Sequence, residues 1–115
     1  MSAIEIRRVY DPAPSPGDGR AVLVDRLWPR GLSKARLAGV LWMKDVAPSA
    51  ALRKWFGHDP ARWDDFRRRY FAELDANPAV EALRGLAAEG PLVLPYGAHD
   101  EVHNQAAALR EYLLR

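Results

Sequence analysis

Cysteine is absent from the 115 residues, which excludes disulfides, thiolate nucleophiles and cysteine-held zinc or iron–sulfur centres. Long apolar runs are missing as well. The longest reach about five residues, against the roughly 20 needed to span a bilayer, so no membrane partner is expected. The opening MSAIEIRRVY has no apolar core of the kind a secretory signal carries, and a cytoplasmic location is the expectation. Neither sign of charge dominates: 17 basic residues stand against 15 acidic ones, a net charge of +2. Lysine is scarce. Only three of the 17 basic residues are lysine and 14 are arginine. Genome composition can produce such a bias, but guanidinium groups are also planar, bidentate receptors for anions.

What remains is the composition of an ordinary folded protein, 49% hydrophobic and 28% charged. A chain of this length buries roughly 65% of its unfolded surface, enough for one core. Residues 1–115 are therefore read as a single domain. AVLVD (Ala21 to Asp25) and LVLPY (Leu92 to Tyr96) are short apolar runs bounded by turn residues, which suits strands buried on both faces. Residues 3–9 and the stretch VLWMKDV (Val40 to Val46) add two more strand candidates. DPAPSPGDG (Asp11 to Gly19) reads as a surface loop.

Helix signals lie between these strands. Ser49 caps a short helix closed by Gly57, while Asp59-Pro60 and Asn77-Pro78 each pair a capping residue with proline at a helix start. A last helix is expected from about Asp100, with Val102, Ala106, Leu109 and Leu113 on one stripe. Strands separated by helices predict an α/β fold: a single compact domain with a small, partly parallel sheet of three or four strands flanked by helices.

In such sheets ligands bind beyond the carboxyl ends of the strands. Two segments leave strands there. The first, Asp25-Arg26-Leu27-Trp28-Pro29-Arg30-Gly31, sets two arginines four apart in a tight loop, able to converge on one anion or to pair with Asp25 and Asp45. The second runs from Tyr96 to Asn104, where His103 flanks the apolar stripe. The expected site is for a small anion or phosphorylated metabolite. Arg26, Arg30, Lys44, Tyr96 and Asn104 are its candidate binding residues; His103 is the candidate proton-transfer group, with Asp25 or Asp100 orienting either His103 or Arg30. The alternative is a nucleic-acid-binding or regulatory module using Arg62, Arg68 and Arg69, with acids interleaved on the same helix. Arg67 falls within the apolar stripe of that helix, where it must hold a carboxylate, snorkel to the edge or line the same cleft. HDEVH sets two histidines four apart, but sharing a metal would need a helix already formed there and a third ligand from elsewhere. No metal site is assigned, and no residue pattern names a cofactor or an oligomeric state.

DRLWPRG, LWMKDVAPS, LRKWFGHDPARWDDFRRRY and DEVHN ahead of LREYL together resemble the YeaO-like family of small uncharacterised bacterial proteins. The resemblance runs from about Arg7 to Leu114. It implies a compact α/β protein of the bacterial cytoplasm and no established activity. Its signature blocks map onto Asp25, Arg26, Trp28, Pro29, Arg30, Gly31, Lys44, Trp55, Gly57, His58, Asp59, Pro60, Asp100, His103 and Asn104. In the family pattern the place of His99 is lysine, which would make a two-histidine site private to this chain.

Overall fold

The computed structural model describes residues 3–10 and 19–115. Four strands form one sheet: β1 (Ile4–Arg8), β2 (Arg20–Leu23), β3 (Leu41–Trp42) and β4 (Leu92–Tyr96). Their order is β1-β4-β2-β3, and the pairings among them are parallel. β4 sits inside the sheet, and all five of its residues are buried, as a strand covered on both faces requires. The expected α/β class is what the chain adopts, with helices α1 (Ala50–Phe56), α2 (Trp63–Asp75), α3 (Ala79–Glu89) and α4 (Gln105–Leu113).

Alternation along the strands divides the core. Val22, Val24, Leu92 and Leu94 belong to a large cluster with Phe66, Tyr70, Leu83 and Leu109 from the helices. Leu23, one residue out of phase, belongs instead to a small cluster with Val9 and Leu37, against which Trp28, Leu32 and Val40 pack. One face is thus covered by helices and the other, in part, by the loop between β2 and β3.

Proline interrupts the sheet where the site lies. Along β4, Leu92 N–H donates to Ala3 on the β1 side, while the Pro91 carbonyl accepts from Arg20 on the β2 side. Alternation therefore turns Pro95 toward β2, and proline has no N–H to give. Pairing between β2 and β4 is confined to Arg20 with Leu92 and Ala21 with Val93, whereas β1 follows β4 through Tyr96. The β2–β4 ladder stops there, short of the carboxyl ends of both strands.

The caps behave as their chemistry dictates. Ser49 Oγ accepts from Leu52 N–H at 3.1 Å, and Gly57 closes α1 in the left-handed region at φ 54°. Asp59 caps a 3-10 turn, Pro60–Arg62, that leads into α2. Asn77 Oδ1 accepts from Ala79 N–H at 2.9 Å at the start of α3.

Two expectations need correction. VLWMKDV is a strand only over Leu41–Trp42; Lys44–Val46 is a 3-10 turn, which buries Val46 in the helical core. The last helix begins at Gln105 rather than near Asp100. Asn104 is its cap, accepting from Ala107 N–H at 2.8 Å, so Val102 lies outside the stripe and is exposed. The loop read over Asp11 to Gly19 lies outside the described residues, except for Gly19.

Candidate functional site

A cavity of about 730 Å3 opens beside the segments that follow β2 and β4, within the range that holds small-molecule ligands. Its lining comes from the loop after β2, the turn after β4, α1 and the start of α4. Phe56 and Phe66 contribute an aromatic wall, their rings stacked with centroids 4.3 Å apart. Two carboxylates, Asp25 and Asp100, and three guanidinium groups, Arg26, Arg30 and Arg53, supply charge.

Asp25 ties the segments after β2 and β4 together. Its Oδ2 accepts from Gly97 N–H at 2.9 Å, and its Oδ1 accepts from the Gln105 amide. One side chain thus joins the end of β2, the turn after β4 and the first residue of α4. Burial pushes the Asp25 carboxyl up to about 6; the hydrogen bonds from Gly97 and Gln105 and the charge of Arg53 work in the other direction. The approach requires a glycine. A Cβ at position 97 would stand 2.9 Å from Asp25 Oδ2.

The three arginines differ. Arg26 is engaged: Nε donates to the Pro48 carbonyl at 2.9 Å and Nη2 to the Ala47 carbonyl at 3.4 Å. It holds the segment before α1 rather than pairing with Asp25 or Asp45. Arg30 is exposed, and its guanidinium has no hydrogen-bond or ion-pair partner among the described residues. The Arg53 guanidinium is likewise exposed and forms no ion pair or hydrogen bond among them.

Asp100 and His103 form a unit of their own. Asp100 Oδ1 accepts from the N–H groups of Val102 and His103, both at 2.9 Å, and Oδ2 stands 2.9 Å from His103 Nδ1. These contacts, led by the His103 and Val102 N–H groups, hold the Asp100 carboxyl down at about 2. The His103 ring meets Trp63 edge-on at 5.3 Å and does not line the cavity. Since residues 100–103 are not helical, His99 and His103 lack the one-turn geometry that helical spacing would provide.

Of the expected site residues, the structure brings Asp25, Arg26, Arg30, Asp100 and Asn104 to one cavity. Asn104 is buried and serves as cap, and its Nδ2 donates to the Asp100 carbonyl at 2.9 Å. Lys44 lies elsewhere, its ammonium 5.4 Å from the Trp42 ring centre, and Tyr96 is buried in the helical core. Sequence reasoning missed Arg53 and Gln105. Asn104 was the available signal: as a strong capping residue it marks a helix start that puts Gln105 in the first turn.

Outside the cavity, Arg67 Nη1 donates to both carboxylate oxygens of Glu111, at 2.7 and 2.8 Å. On the face considered for nucleic acid, Arg62 pairs with Asp59 and Arg68 with Asp65, while Arg69 lies 4.1 Å over the Trp55 ring.

Comparison with known proteins places this architecture among relatives. Residues 3–115 match the family model described as the inactive DUF488-N3 subclade. The chain is 41% identical over 111 residues to the uncharacterised protein YeaO of Escherichia coli (strain K12), with 96% of each chain covered. It is also 41% identical to the uncharacterised protein Rv3073c of Mycobacterium tuberculosis (strain ATCC 25618 / H37Rv), over 96% of this chain and 92% of that one. No solved structure matches it.

Proposed function

Since the chain belongs to the YeaO-like family, in the group described as the inactive DUF488-N3 subclade, we propose that the cavity binds a small anionic ligand, such as a phosphorylated metabolite, without turning it over. The observation that carries this reading is the pair of guanidinium groups, Arg30 and Arg53, at one cavity and with no hydrogen bond or ion pair among the described residues, although the charge of Arg53 is felt at Asp25. Elsewhere, exposed Arg62 and Arg68 and part-buried Arg67 are each matched by a carboxylate, whereas exposed Arg69 lies over the Trp55 ring. Arg26 acts by holding Pro48 and Ala47, which fixes the approach to α1. Asp100 and His103 hold the turn after β4 in shape. His103 lies outside the lining, while His58 and His99 are part of it; the reading rests on the two arginines and not on any imidazole. The family description is in accord with binding without turnover.

Calorimetric titration with inorganic phosphate and sulfate tests the reading. Arg30→Ala and Arg53→Ala should each lose about tenfold in affinity, the size of a charge-assisted hydrogen bond of roughly 1.5–3 kcal/mol. Their melting temperatures should stay near the wild-type value, because both side chains are exposed. Failure of the wild-type protein to bind either anion, or unchanged affinity in both variants, overturns it.

A further inference from the structure

The same cavity holds two carboxylates, Asp25 and Asp100, as well as the two arginines. Asp25 is largely buried, and water solvates it poorly. Each of its oxygens takes one hydrogen bond from the protein, Oδ2 from Gly97 N–H and Oδ1 from Gln105. A carboxylate offers about four acceptor positions, so two remain on a group that lines the cavity. A ligand that donates to it would add a charge-assisted hydrogen bond, which is stronger than a neutral one. An anion with no donor would meet repulsion from it instead. The lining also includes the apolar rings of Phe56 and Phe66.

We infer that the ligand is amphoteric: it carries an anionic group for Arg30 and Arg53 and an ammonium or hydroxyl donor for Asp25. This rests on the anion-binding reading and narrows it to a ligand class. Discrimination follows from the same groups. A plain anion leaves Asp25 unmatched, a plain amine leaves the arginines unmatched, and only a molecule with both satisfies the cavity.

Matched sulfonates test it, since their charge does not titrate near neutral pH. Ethanesulfonate lacks a donor, isethionate carries a hydroxyl and taurine an ammonium on the same two-carbon frame. The pair 4-methylbenzenesulfonate and 4-(aminomethyl)benzenesulfonate repeats the comparison across an aromatic spacer. Affinities come from titration of the wild-type protein followed by amide NMR, with the Gly97 N–H as reporter of its Asp25 partner. In at least one frame the donor-bearing probe should bind about fivefold or more tightly than its donor-free match. It should shift the Gly97 resonance, and Asp25→Asn should abolish the advantage of the ammonium. A gain for taurine alone assigns the donor as a cation, and an equal gain for isethionate assigns it as a simple hydrogen-bond donor. Equal affinities within both frames, or a preference that survives in Asp25→Asn, overturn the inference and leave the anion site standing. If no sulfonate binds and phosphate does not either, both readings fall. The wild-type comparison decides the matter even if the variant does not fold.

Discussion

Burial lifts the Asp25 carboxyl from its ordinary value near 3.8 to about 6, so between these values the folded chain holds a proton there that the unfolded chain has lost. Stability falls with pH wherever the native state binds the extra proton. Asp25 therefore favours folding below pH 4 and withdraws that support as pH rises through 6, by about 3 kcal/mol at most. Asp100, held at about 2, runs the other way: its support is present above pH 4 and is lost as pH falls toward 2. Asp25→Asn should flatten the decline between pH 4.5 and 7, measured by denaturant unfolding at several pH values. A decline as steep as in the wild-type chain would show that another group is responsible. Asp25 was legible in the sequence as a polar residue leaving a buried strand. Its partners were not. Gly97 and Gln105 lie more than 70 residues along the chain, and only the docking of β4 beside β2 brings them near.

At the scale of elements, short-range chemistry carried the reading a long way. Ser49, Gly57, Asp59 and Asn77 mark boundaries because each settles backbone groups within a few residues of itself. The error at α4 came from two capping residues in competition, Asp100 and Asn104. Asp100 spends its oxygens on Val102 and His103, which makes a turn, whereas Asn104 reaches Ala107 across a true first turn. β3 misled for a different reason. The apolar run VLWM suggested a longer strand, but Val46 must reach the helical core, where its carbonyl accepts from the buried Tyr70 hydroxyl at 2.6 Å. Asn104→Ala removes a buried cap together with the bond to Asp100, and it should cost about 1–2 kcal/mol of unfolding free energy. Chemical denaturation measures it. A loss below about 0.3 kcal/mol would mean that α4 is held by packing alone.

For the whole molecule, the division of the core into a large and a small cluster predicts uneven stability. Val22, Leu94 and Leu109 sit in the large cluster, so their amides should exchange only with global unfolding. Residues 31–39 rest on the three-residue cluster of Val9, Leu23 and Leu37, and their amides should exchange by local opening, at least about a hundredfold faster. Native-state hydrogen exchange reads both, and uniform protection would refute the division. The sequence carried the α/β class through the buried runs of β2 and β4, yet the order β1-β4-β2-β3 depends on long-range pairing that no local pattern encodes.

Pro95 has a consequence at this scale. An unzipped edge that depended on side chains could close when the solution changes, but here the missing donor is part of the covalent chain. No shift of pH, salt or temperature can supply it. A ligand would thus enter a vacancy already present, with little backbone ordering to oppose binding. Free and occupied forms should superpose around β2 and β4 to within about 1 Å. The molecule ends the β2–β4 ladder beside its cavity by leaving one hydrogen bond out of its own composition.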